Sequence, residues 1–143
     1  IKKVRNSVAV LDEDLIKAFE IEEIFDKQMR TLSGGTTQKV SAVLAFMFDP
    51  KIIIPDEPTA GLDPLSSEIL KEKIIKEKNK GKLIIITSHL LSELDDMVSE
   101  IVFINEGKVI VQQSVTDLMT ERKSEKISES IVSILKEMKN NAQ

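Results

Sequence analysis

Two isoleucine-rich runs, Ile52-Ile53-Ile54 and Leu83-Ile84-Ile85-Ile86, constrain this chain more than anything else in it. Neither run alternates apolar with polar residues, so neither is expected to have a wet face. Continuous short runs of this kind are strands covered on both sides, the habit of parallel sheets in α/β proteins. Between them Asp63-Pro64 starts a helix, since proline suits a first helical turn, and Gly81 stops it. The result is a strand, a helix and a second strand, with Asp56-Glu57 emerging at the carboxyl end of the first strand.

Other elements follow from spacing. Leu15, Ile16, Phe19, Ile24 and Phe25 predict a helix over residues 12–28, with Asp12 as N-cap. Ser33 opens a helix backed by Val40, Val43, Leu44 and Met47 that stops near Asp49-Pro50. A short helix is expected over residues 88–98, then a hairpin of residues 101–105 and 108–112 around Glu106-Gly107, then a helix over 115–122. Residues 124–139 form a separate amphipathic helix with Ile127, Ile131, Ile134, Leu135 and Met138 on one face. That face docks on its own domain or, alternatively, binds a partner or forms a dimer.

Composition excludes several function classes. The 143 residues are 41% hydrophobic and 31% charged, enough for one domain with a core. No cysteine is present, so disulfides, thiolate metal sites and cysteine nucleophiles are excluded. A net charge of -4, no basic stripe and no Trp or Tyr argue against nucleic-acid binding. No apolar run approaches the ~20 residues that span a bilayer. The opening Ile1 followed by Lys-Lys-Val-Arg reads as an internal start, the alternative being a trimmed terminus.

The chemistry-bearing residues cluster in order. In Leu32-Ser33-Gly34-Gly35, the glycines let a backbone approach a ligand. Their place at a helix start turns amide N–H groups and the positive dipole end outward, which makes an anion site. A capping turn has the same composition, so this motif alone decides nothing. Asp56-Glu57 at a strand end can divide labour, one carboxylate holding Mg²⁺ through water and the other orienting an attacking water. A pair of exposed turn acids is the alternative. Pro58, Thr59, Gly61, Leu62 and Asp63 at fixed offsets favour the functional reading. His89, the only histidine, follows Thr87-Ser88 just past the second strand.

Taken together, LSGGTTQKV, IIIPDEP, AGLD and SH resemble, in order and spacing, the signature, Walker B, D-loop and switch histidine of ATP-binding-cassette (ABC) ATPases. The resemblance covers residues 30–112, and NEGKVI is similar to the hairpin after the switch in transporter ATPases. It implies an α/β fold, the C-terminal portion of a P-loop NTPase domain: a partial parallel sheet flanked by helices, with a C-terminal hairpin and helices. Residues 1–122 would be the partial nucleotide-binding domain and 123–143 a C-terminal amphipathic helix. It further implies that two such domains sandwich ATP head to tail. Ser33, Gly34 and Gly35, with Gln38 supporting the signature, would reach the γ-phosphate held by the opposite subunit. Asp56 would ligate Mg²⁺ through water, Glu57 would polarise the attacking water, and His89 would bridge the γ-phosphate to the partner's D-loop, where Asp63 sits. GGTTQKVSAVLAFMF and ITSHLLSELDDMVSEIVFINEGK resemble ATPase subunits paired with small ABC-2-type permeases, in wording those of nitrous-oxide-reductase maturation and copper-site assembly. Nothing in the chain suits copper itself.

The chain also departs from the family pattern. Pro55 stands where a leucine is usual and removes an N–H from the strand. Thr36 stands where glutamine is commonest. No G-x-x-x-x-G-K-[ST] is found, so the Walker A grip on the β- and γ-phosphates is missing. The expected function is the ATP-hydrolysing motor subunit of a transporter, at the cytoplasmic face of the membrane beside a separate permease. These residues alone are expected neither to bind ATP tightly nor to hydrolyse it, and to self-associate through unpaired strands. The alternatives are a soluble ABC ATPase acting on nucleic acid or ribosomes, and a nucleotide-dependent interaction module without turnover.

Overall fold

A computed structural model describes residues 11–141; the Lys-Lys-Val-Arg opening and the first ten residues of the expected 1–122 domain lie outside the described residues. The chain forms two compact units, Ile1–Ser88 and His89–Gln143.

In the first unit the elements run α1 (Asp14–Ala18), α2 (Gly34–Phe46), β1 (Ile52–Ile53), α3 (Pro64–Asn79) and β2 (Leu83–Ile84). The helix expected over residues 12–28 is broken. After α1, Glu20 turns left-handed at φ 53, and the chain continues as a 3₁₀ turn, Ile21–Ile24. The N-cap of α1 is Glu13 and not Asp12, which instead accepts from the Asp14 N–H at 3.1 Å in the turn that leads into the helix. Both other helices start and stop where their punctuation predicts. Ser33 caps α2, and the left-handed Asp49 (φ 50) lies just beyond its end. Asp63 caps α3 with Pro64 in the first turn, and Gly81 at φ +83 ends it.

β1 and β2 are parallel, Ile52 facing Leu83 and Ile53 facing Ile84. Hydrogen bonds extend the pairing beyond the named strands: the N–H groups of Leu83, Ile85 and Thr87 donate to the carbonyls of Lys51, Ile53 and Pro55. One face is buried through Ile53, 4% exposed, which lies on the core side with Leu70 and Ile74 of α3 also buried. The other face is open, contrary to the two-sided burial that the apolar runs predict. Ile52, Ile54, Leu83 and Ile85 are 58%, 67%, 54% and 48% exposed. Among the described residues these aliphatic side chains are only partly covered, Leu44, Ala45, Phe48 and Pro50 lying beside Ile52 and Ile54.

A buried ion cluster ties α3 to its surroundings. Lys73 pairs with Asp12, with Asp14 at 3.1 Å and with Glu77 at 3.2 Å. Lys76 reaches Asp14 at 2.7 Å, Lys80 reaches Glu77 at 2.7 Å, and Lys82 bridges Glu77 to Asp49 at 2.5 Å. Burial pushes the Glu77 carboxyl up, but hydrogen bonds from Lys80, Lys82 and Lys73 outweigh it and hold it at about 2. Lys76, then Lys73, hold Asp14 at about 2. Folded-state values below the unfolded ones mean stability that is present above the unfolded values and is lost as pH falls through the folded ones. Stability to urea is therefore expected to be level above about pH 5 and to fall steeply from about pH 4.5 towards 2. Equal urea midpoints at pH 6 and pH 2.5 would remove this cluster from the stabilising interactions.

In the second unit the expected 88–98 helix is reduced to a 3₁₀ turn, Leu91–Glu93, followed by further turns. β3 (Glu100–Asn105) and β4 (Lys108–Ser114) form the expected hairpin. Its two-residue turn, Glu106 at φ 49 and Gly107 at φ 74, has both residues left-handed, which matches the twist of paired strands. α4 (Val115–Arg122) and α5 (Ile127–Asn141) follow. Ile127, Ile131 and Ile134 of α5 are buried; the helix packs on α4 and the 91–93 turn, and Asp95 accepts from the Ile127 N–H at 2.8 Å. The docked alternative for this amphipathic face is thus the observed one.

Candidate functional site

Helix α2 presents its N-terminus through Ser33, Gly34 and Gly35. The Ser33 hydroxyl accepts from the Thr36 N–H at 3.2 Å and lies 2.8 Å from the Thr36 hydroxyl. The N–H bond makes the cap, and the threonine side chain adds only the hydroxyl contact to it. The first amides of an α-helix have no intrahelical carbonyl partners, so this exposed end favours an anion. Gly35 is needed for another reason: a Cβ there would meet the Gly61 carbonyl oxygen at 2.7 Å. Gly61 itself is at φ +75. The glycines of two sequence motifs thus pack against each other.

The carboxylates lie at the end of β1. Asp56 is exposed and accepts a hydrogen bond from the Thr87 hydroxyl; the same two residues form a parallel bridge. Glu57 is half-buried and left-handed at φ +45, a backbone that costs a residue with Cβ ~1–2 kcal/mol. Its N–H donates to the Thr87 carbonyl at 3.0 Å, and its carbonyl accepts from the Ala60 N–H at 3.1 Å. Pro55 does interrupt the ladder. The rung it cannot donate falls between β1 and the Asp56–Thr87 bridge, yet the Pro55 carbonyl still accepts from Thr87 at 3.2 Å. Glu57 stays anchored two residues beyond the gap.

Gln38 and Lys39 tie α2 to this loop. The Gln38 amide donates to the carbonyls of Glu57 at 3.2 Å and Pro58 at 3.0 Å. Lys39 pairs with Asp63 at 3.1 Å and lies 5.6 Å from the centre of the Phe19 ring. Asp63 also accepts from the Ser66 N–H at 2.9 Å and the Ser66 hydroxyl at 2.6 Å. The Ser66 hydroxyl, its N–H and Lys39 hold the Asp63 carboxyl far below the usual carboxylate range. Sequence reading missed Lys39 and Thr87. The spacing of Lys39, one turn after Gly35, and of Thr87, level with Asp56 across the strands, was the available signal.

Ser33, Gly34, Gly35, Gln38, Asp56, Glu57 and Asp63 all lie in the first unit. Gln38 meets Glu57, and Gly35 meets the 61–63 turn; Ser33 stands at the helix tip. His89 is exposed and is the first residue of the second unit. Among the described residues no group of three or more His, Cys, Asp or Glu could hold a metal by itself. Asp56, a lone exposed carboxylate at a strand end, fits an ion that arrives with phosphate oxygens and its own waters, and does not amount to a protein cage.

The fold is that of ABC ATPase domains. A solved ATP-binding subunit of an ABC transporter superposes with a TM-score of 0.77 at 28% identity, over 85% of this chain and 51% of that one. A nucleotide-free ATP-binding cassette agrees in fold, with a TM-score of 0.59 at 22% identity, over 74% of this chain and 42% of that one. The family profile described as ABC transporter matches residues 3–60. NatA of Bacillus subtilis, an ABC transporter ATP-binding protein, is 33% identical over 124 residues, 87% of this chain and 50% of that protein. The lantibiotic transport ATP-binding protein SrtF of Streptococcus pyogenes is 35% identical over 99 residues, 69% of this chain and 43% of that protein. The chain belongs to the ABC transporter ATP-binding family. It spans about half the length of NatA and less of SrtF.

Proposed function

We propose that these residues form the signature and catalytic-carboxylate half of an ATP-hydrolysing motor that drives a separate membrane permease. The observation that carries this reading is the junction of the glycine-led start of α2 with the Asp56-Glu57 loop, held through Gln38, Gly35 and Lys39. Ser33, Gly34 and Gly35 contact the γ-phosphate of ATP bound by a second ATPase subunit in a head-to-tail dimer. Asp56 would hold Mg²⁺ through water, and the ion would supply charge neutralisation at the phosphates. Glu57, as base, takes a proton from the attacking water. His89 and Asp63 complete the dimer contact around the γ-phosphate.

No helix among the described residues is long and apolar enough to cross a membrane. Work at the cytoplasmic face is part of the same proposal. The decisive experiment uses the full chain that contains these residues, reconstituted with its membrane partner. Mg²⁺-dependent ATP hydrolysis stimulated by the permease is expected; hydrolysis that never responds to a membrane partner would reject the motor role.

A polypeptide of residues 1–143 alone contains no Walker A loop, and we expect it to bind ATP with a Kd above the micromolar range. It is also expected to self-associate through the open aliphatic face of β1 and β2. Micromolar nucleotide binding would contradict the first expectation, and a single monomer species in sedimentation velocity the second.

A further inference from the structure

Glu57 adopts a backbone conformation that its Cβ opposes, at φ +45. Two of the bonds that fix it are local to its strand pair and turn, from its own N–H to Thr87 and from Ala60 to its carbonyl. The third comes from α2, from a residue 19 positions earlier: Gln38 donates to the Glu57 carbonyl at 3.2 Å and to the Pro58 carbonyl at 3.0 Å. One side-chain amide therefore spans consecutive carbonyls of the loop that aims the carboxylate.

We propose that Gln38 is a positioning residue for Glu57, which makes the 57–60 turn a rigid extension of helix α2. This rests on the role proposed for Glu57. The flanking contacts act in the same sense. Gly35 abuts the Gly61 carbonyl, and Lys39 holds Asp63, so the segment 57–63 is fixed to the first turns of α2 along its length. Phosphate contact at the tip of α2 and the aim of Glu57 are then one mechanical variable.

The test removes the donor and keeps the bulk, as Gln38→Met, with Gln38→Glu as a second variant should the first fold poorly. Both are made in the full chain. Amide exchange of residues 57–63 is expected to quicken at least tenfold, with α3 unchanged. Maximal ATP hydrolysis is expected to fall at least tenfold while the Kd for ATP stays within twofold. In a Glu57→Gln background, Gln38→Met is expected to lower residual hydrolysis no further, because its effect passes through the carboxylate. Unaltered exchange at 57–63, an equal fall in both backgrounds, or weakened binding with hydrolysis intact would each overturn the proposal. If the unsubstituted chain fails to hydrolyse ATP, or Glu57→Gln is silent, the role of Glu57 falls, and the exchange measurement alone then judges the brace.

Discussion

Replacing Glu57 by glutamine in the full chain is expected to lower ATP hydrolysis by about 10²-fold or more while leaving ATP binding within about threefold. The substitution keeps side-chain length and leaves the backbone anchors untouched, because Thr87, Ala60 and Gln38 all bond the Glu57 main chain. What it removes is the carboxylate proposed to accept a proton from the attacking water. Binding depends on phosphate contacts made elsewhere, so the loss falls on turnover and not on affinity. With hydrolysis blocked, ATP should hold the two subunits closed, and a nucleotide-dependent dimer should persist in sedimentation. Turnover at the unsubstituted rate would remove Glu57 from the mechanism. Equal losses of turnover and binding would show instead that the loop had collapsed.

Glu77→Ala is the second large effect, this time on stability. Glu77 is 0% exposed and its carboxylate faces Lys73, Lys80 and Lys82. Removing it takes the central, fully buried carboxylate from the cluster while Lys73 keeps Asp12 and Asp14 and Lys82 keeps Asp49, a loss at the low end of about 3–5 kcal/mol. Against a total stability of about 5–15 kcal/mol, that is a large fraction. The urea midpoint should fall accordingly. The double change Lys73→Met with Glu77→Leu should cost less than Glu77→Ala alone, since it removes the carboxylate together with the buried ammonium that faces it, while Lys76 keeps Asp14 and Lys82 keeps Asp49. A loss below about 1 kcal/mol for Glu77→Ala would mean that water reaches the cluster and screens it.

The helix ends were legible because single residues dictate them. Ser33 and Asp63-Pro64 start helices and Gly81 stops one through local backbone chemistry, and Glu106-Gly107 forces the hairpin turn. The 12–28 helix was misread because apolar spacing continues through a left-handed Glu20 that no local signal marks. Ser88 to Val98 carries helix-forming residues but forms mainly turns. Lys73, Glu77 and Lys80 sit at helical spacings that suit a solvated charged face as well as a buried one; only the tertiary partners Asp12, Asp14 and Lys82 separate the two. In the site, residue types were readable from motif order. The cross-links of Gln38 to Glu57, Lys39 to Asp63 and Gly35 to Gly61 were not, because each joins segments about twenty residues apart or more.

The open face of β1 and β2 bears on the fate that a polypeptide of residues 1–143 would meet inside a cell. Exposed aliphatic strands are what chaperones hold and what quality-control proteases survey. For a polypeptide confined to residues 1–143, with Ile52, Ile54, Leu83 and Ile85 exposed, the amount that survives is expected to be set by that triage. A substitution on this face should therefore show itself first as altered abundance, before any change in rate.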